Sequence, residues 1–188
     1  GDLLESANYG TSKKASIEKL EYPVLRMGNI TYEGGWNFTD LKYIELDEKE
    51  KTKHLVHKGQ LLFNRTNSKE LVGKTAVYRE DEPMAFAGYL VRGIAKQDAD
   101  SEYISAYLNS RHGKQKLTQM CKNIVGMANI NAKEMQAIPI LLPPPEAQHK
   151  FGNIVRAVQS KSESWKVLYR NSNELFSSLQ QLAFHGDL

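Results

Sequence analysis

The sequence predicts an α+β fold: a β-rich domain over residues 1–143, followed by one long C-terminal helix over 144–188. Three observations carry the prediction. From Tyr22 to about Leu142, short apolar or β-branched runs alternate with Gly-containing turns at Gly28-Asn29, Gly34-Gly35, Lys58-Gly59 and Gly73-Lys74. The run Pro139–Pro145, reading PILLPPP, cannot continue a helix and should be extended, which ends the globular part. From Glu146 to Phe184, apolar residues recur about every 3.5 residues, the period of a helix that packs along its whole length.

Within the β-rich part, candidate strands are Val24–Met27, Gln60–Asn64, Gly73–Tyr78, Met84–Ala87 and Tyr89–Ile94, chosen for apolar alternation or for β-branched and aromatic content. One helix is expected at Ser101–Leu117, where Ser101 and Glu102 supply a cap and an acidic first turn and Ile104, Tyr107 and Leu108 repeat at helical spacing. The chain opens at Gly1 and not at Met, so its start reads as trimmed, and little weight rests on the first residues.

The C-terminal segment carries a stripe of Phe151, Ile154/Val155, Val158, Trp165, Leu168/Tyr169, Leu175/Phe176, Leu179 and Leu182/Ala183. An unbroken helix of this length spans roughly 55–60 Å at 1.5 Å per residue, further than the preceding domain reaches. Its apolar side therefore needs a partner helix. A helix folded back on its own domain, or broken near Ser160–Ser164, is the alternative.

Composition narrows the function classes. With 40% hydrophobic and 25% charged residues, the 188-residue chain has no apolar run approaching the roughly 20 residues of a membrane helix. The lone Cys121 excludes an internal disulfide, and with no secretory signal pattern a reducing cytoplasm fits best. A net charge of +3 hints at anionic partners. Acids concentrate in Glu45–Glu50 and Glu80–Glu82, apart from Lys13, Lys14, Arg65, Lys69, Lys74 and Arg92, a segregation that would leave one face basic.

Three segments are candidates for contact with nucleic acid. In Tyr9-Gly10-Thr11-Ser12-Lys13-Lys14, amides, hydroxyls and two cations suit a phosphate backbone, although a solvated loop has the same composition. In Leu61–Ser68 an apolar strand runs into Asn64-Arg65-Thr66-Asn67-Ser68, which holds the groups that pair with guanine and adenine edges. The same residues also form Asx and Ser turns. The third is the small-residue loop Gly126–Asn131, with two Asn.

Catalytic patterns are absent from the sequence. Its five His include no H-E-x-x-H pair, and no phosphate loop, dinucleotide fingerprint or nucleophile elbow appears, so no catalytic residue, metal or cofactor is expected.

In chain order, the strings YGTSKK, YPVLRMGNI, KGQLLFNRTNSKELVGKTAVY, NINAKEMQAIPILLPPPEAQ and LQQLAFHGDL resemble the specificity subunit of type I restriction-modification systems, and the resemblance covers almost the whole chain. It implies a non-catalytic reader of double-stranded DNA, with residues 1–143 as a target recognition domain and 144–188 as a conserved spacer helix paired in an antiparallel coiled coil. Family members usually hold two such units in tandem. A chain with one implies a half subunit that dimerises, or one domain of a longer protein. The implied partners are modification subunits that methylate adenine, and a separate restriction subunit. Asn64, Arg65, Thr66, Asn67 and Ser68 are then expected at the DNA, Tyr9, Thr11, Ser12, Lys13, Lys14 and Lys74 at phosphates, and Tyr89 and Arg92 beside them. Phe151, Val155, Val158, Trp165, Leu168, Tyr169, Leu175, Phe176, Leu179 and Leu182 are expected in the homodimer seam. The chief competing reading is a protein-interaction module presented on a coiled coil, which predicts salt-insensitive behaviour towards duplex DNA; a second is a methyltransferase or nuclease fragment, which the absent cofactor loop and carboxylate cluster speak against.

Overall fold

The computed structural model describes residues 1–120, 122–124 and 127–185; Cys121 and Gly126, the first residue of the third candidate loop, lie outside them. The first half holds β1 (Leu4–Tyr9), β2 (Tyr22–Leu25), β3 (Lys42–Ile44), α1 (Glu48–His54), β4 (Leu55–Val56), β5 (Leu61–Asn64), β6 (Thr66–Asn67), β7 (Thr75–Val77), β8 (Met84–Phe86) and β9 (Leu90–Ala95). After them come α2 (Ser101–Asn109), α3 (Arg111–Met120), β10 (Lys122–Ile124), β11 (Met127–Asn129), α4 (Ala132–Gln136) and α5 (Pro145–His185).

Two four-stranded sheets, ordered β1-β9-β5-β7 and β3-β2-β8-β4, and a small sheet β10-β11-β6 make the globule. The first sheet is antiparallel, while β2 and β8 pair in parallel. Successive residues of a strand face opposite sides. Leu61 and Phe63 of β5 accordingly enter one core with Ile104, Leu108 and Leu117 of α2 and α3. Leu62 enters a second core with Leu25, Tyr78 and Phe86, towards the other sheet. All four β5 residues are buried because both faces are covered.

The expected strands appear within two or so residues of their predicted bounds. The structure adds β1, which pairs along β9 from the first residues, on which the sequence reading rests little. The single helix expected at Ser101–Leu117 is two. Ser110 turns extended (ψ 159°) between α2 and α3, and its hydroxyl accepts the Gly113 amide at 3.1 Å. The cap of α2 is Asp100, which accepts the Glu102 amide at 2.8 Å, and not Ser101. Pro145 opens α5, where its missing N–H has no bond to lose.

Helix α5 runs unbroken for 41 residues, and Gln148 and Gly152 are its only buried residues. Its apolar side is uncovered, with Val158 59%, Trp165 69%, Leu168 59%, Leu175 62% and Leu179 44% exposed. The fold-back and broken-helix alternatives are both set aside by this geometry.

Candidate nucleic-acid interface

Four segments converge at one end of the first sheet. Arg65 leaves β5 with its amide donating to the Tyr89 carbonyl at 3.0 Å, and its carbonyl accepts the Ile130 amide at 2.9 Å. Its guanidinium lies over the Tyr9 ring, 4.9 Å from the centroid. Its terminal nitrogens donate to the Gly88 carbonyl at 3.4 Å and to Asn129 Oδ1 at 3.3 Å. Asn129 in turn donates to Thr66 Oγ1 at 3.1 Å. The Tyr9 hydroxyl accepts the Ala132 amide at 2.9 Å.

Long bonds of this kind orient Arg65 without exhausting its five N–H donors. Tyr9 and Tyr89 are 44% and 53% exposed beside it, and Met127 is 42% exposed on β11. A cation held over an aromatic ring, next to an amide side chain and two open tyrosines, is the kind of surface that stacks on and hydrogen-bonds to nucleic acid.

Gly10 makes the convergence possible. A Cβ there would stand 2.2 Å from the Phe86 carbonyl oxygen, so the glycine serves close backbone approach. Thr11 continues it, donating its amide to Phe86 at 2.9 Å and accepting Gly88 at 2.8 Å. Its side chain is buried and its hydroxyl accepts the Lys13 amide, whereas Ser12 and Lys14 stand exposed.

Other sequence candidates lie elsewhere. Asn64, Lys74 and Arg92 are 0%, 8% and 6% exposed and lie between the two large sheets. Lys74 Nζ donates to the Met27 carbonyl at 3.1 Å and to that of Ile30, and burial pushes its amine below its ordinary value. Arg92 donates to the Leu55 carbonyl and lies over the Phe86 ring at 5.7 Å, and burial lowers its value as well. Asn64 donates to the Leu71 carbonyl at 3.4 Å. As placed, none of the three side chains can reach a duplex, which corrects the reading of their types alone.

Strand parity carried the missing signal. Asn64 sits two residues from Leu62, Lys74 two from Ala76 and Arg92 two from Leu90, and all three apolar neighbours line the second core. Asn67 and Ser68 are half-buried, and Asn67 Oδ1 accepts the amide of its neighbour Ser68 at 2.9 Å. The charge segregation also needs correction. Lys13 reaches the acidic run at Glu50, 2.7 Å away, so only Lys14 of the pair stands free of it among the interactions seen. In the third loop, Asn129 joins Arg65 while Asn131 caps α4 in a reciprocal box with Glu134.

Among the described residues no helix is long and apolar enough to cross a membrane, and no three His, Cys, Asp or Glu gather as a metal site.

A mixed-sheet domain that offers such a surface and extends a long, uncovered helix defines a class of modular protein, a globule carried on an extended helix. The sequence model described as "Type I restriction modification DNA specificity domain" matches residues 1–167, and the chain belongs to that family. It is 25% identical, across 99% of its length, to the type I restriction enzyme EcoKI specificity subunit of Escherichia coli K12. It is 29% identical, across 82%, to the putative type I restriction enzyme MjaX specificity subunit of Methanocaldococcus jannaschii. The chain spans 41% and 37% of those two proteins. A solved chain from work on complex assembly and conformational transition of the type I R-M system shares the fold, with TM-score 0.60 and 17% identity over 96% of this chain and 41% of that one.

Proposed function

We propose that this chain is a non-catalytic DNA-reading unit of a cytoplasmic type I restriction-modification complex. The globule reads one half-site of double-stranded DNA, and α5 joins a second reader and docks the modification subunits, with a restriction subunit added to the assembly. The observation that carries the reading is the uncovered apolar side of α5, from Ile154 (56% exposed) to Leu182 (40%). A helix some 60 Å long at 1.5 Å per residue has more apolar side than one globule can cover, and a second copy laid antiparallel covers both stripes. Two readers then sit at a set distance on one duplex, so a symmetric pair would read a palindrome split by unread bases.

At the globule, Arg65, Asn129 and Tyr9 are the groups best placed to meet DNA, with Tyr89, Asn67 and Ser68 flanking them and Ser12 and Lys14 at a phosphate, while Thr66, 7% exposed, holds Asn129 from a buried position and is withdrawn from the expected contacts. Binding to variant duplexes tests the assignment. Arg65→Ala should cost about 1–3 kcal/mol and relax preference at one base position, whereas Lys14→Ala should weaken all sequences alike. Equal loss on every duplex for Arg65→Ala would remove it from the base-reading set.

A further inference from the structure

Helix α5 meets its globule at one joint. His149, Gly152 and Arg156 share a helical face that closes on Asp100, the cap of α2, which is 5% exposed. Arg156 donates to both carboxylate oxygens, at 3.3 and 2.9 Å, and His149 Nδ1 stands 3.4 Å from Oδ2. The Glu102 amide occupies Oδ1 at 2.8 Å. Gly152 packs so closely that a Cβ would lie 2.3–2.4 Å from the three carboxylate atoms. Beside the joint, Phe151 meets Tyr103 edge-on at 5.9 Å, so this member of the expected dimer seam faces its own globule. Glu102 is held separately by Arg79 at 2.6 Å.

Past Arg156 the helix stands off. A cleft of about 1290 Å³ opens between Gln159, Glu163 and Lys166 of α5 and Trp36, Arg79 and Glu102 of the globule. From Arg156 to His185 the lever is about 44 Å long at 1.5 Å per residue. A tilt of about 10° at the joint moves its end by about 7–8 Å, more than two steps of a duplex that rises about 3.4 Å per base pair. The stiffness of this one joint therefore decides how sharply any helix-borne distance is defined.

We propose that Asp100, Gly152 and Arg156 are positioning residues that set the angle of α5 against the reader, and so determine which half-site separation the protein accepts. The inference rests on the reading of two globules joined through α5. Arg156 is half-exposed, so Arg156→Met leaves the globule folded, and Gly152→Ala forces the joint apart from the other side.

The test uses the full chain carrying Cys121→Ser and spin labels on cysteines at Lys58 and Ser178, diluted into unlabelled protein. The unaltered joint should give one narrow distance distribution. Arg156→Met and Gly152→Ala should each broaden or shift it by about 6 Å, the excursion of the lever at Ser178, about 33 Å from the joint at 1.5 Å per residue, and Arg156→Lys should restore it. In parallel, duplexes selected from a random library by the parent chain should share one half-site separation, and those selected by Arg156→Met should scatter in separation with unchanged half-site sequence. Distances as narrow as and centred with those of the unaltered joint, together with the parent's single separation in both variants, would overturn the joint and leave the two-reader reading standing. Selection of solitary half-sites by the parent chain would overturn the two-reader reading itself.

Discussion

Strand β5 and helix α5 are both rich in large apolar residues, and they have opposite surroundings. Leu61, Leu62 and Phe63 are all 0% exposed, whereas Trp165 and Tyr169 of the helix are 69% and 71% exposed. The strand is covered on both faces by its own chain. The helix is held at its first three turns and left open beyond them. The globule covers its own apolar strands, and under the proposed reading α5 is the element that a second chain covers.

The largest effect that would break this contrast belongs to the helix. Each leucine buried at a helix seam contributes about 1.5–3 kcal/mol, and a two-fold pair counts every substitution twice. Leu168→Glu with Leu179→Glu should therefore turn a dimer into a monomer in sedimentation velocity, with the unfolding midpoint of the globule unchanged. A dimer that survives both substitutions would show that the stripe is not the seam.

Next comes the strand. Phe63→Ala should cost about 3–5 kcal/mol of globule stability, measured as a fall in denaturant midpoint, because the cavity lies between the first sheet and α2 and cannot refill. Monomer and dimer should lose the same amount. A smaller loss in the dimer would mean that α5 also shores up the core.

This contrast was legible in the sequence because the two regions carry different apolar patterns. A short continuous apolar run ending in turn residues marks β5, a strand covered on both faces, and the heptad-like stripe from Val155 to Leu182 marks α5. β1 was not legible, since LESANY has little apolar alternation and becomes a strand by pairing with β9. The break at Ser110 is a backbone event inside a continuous helical pattern. In the site, Arg65 and Tyr9 were named separately, and only the fold lays one over the other. Asn64, Lys74 and Arg92 were misread because residue type was weighed without strand parity. Asp100 had no signal as a joint, because its partners lie 49 and 56 residues further along the chain.

A smaller effect sharpens the boundary between the two regions. Desolvation raises the Asp100 carboxyl, but the hydrogen bonds from Arg156, the Glu102 amide and His149 outweigh it and hold the group below its ordinary value of 3.8. A carboxyl depressed in the folded state adds stability above its unfolded value, and that stability is lost as pH falls through the folded value. Asp100→Asn keeps the cap and removes the charge. It should cost about 1–2 kcal/mol at pH 7, discounted because Arg156 is half-exposed. The difference from the parent chain should vanish in the acid range below 3.8. A gap independent of pH would assign the loss to packing.

The smallest effect separates two adjacent lysines. Lys14 is exposed with no acid against it among the contacts seen, whereas Lys13 Nζ lies 2.7 Å from Glu50 and 3.2 Å from the Glu45 carbonyl. A lysine that neutralises one phosphate releases about 0.9 counterion, so Lys14→Ala should flatten the slope of log affinity against log salt by about that amount. Lys13 must first leave Glu50, which remains charged, so Lys13→Ala should flatten the slope by less. Glu50→Gln frees the Lys13 amine and should steepen the slope above that of the parent chain. The exposed pair itself contributes under about 1 kcal/mol, so the globule's unfolding midpoint should hardly move in any of the three variants. Equal slopes for Lys13→Ala and Lys14→Ala would show that the ion pair opens on DNA and that both lysines reach the backbone.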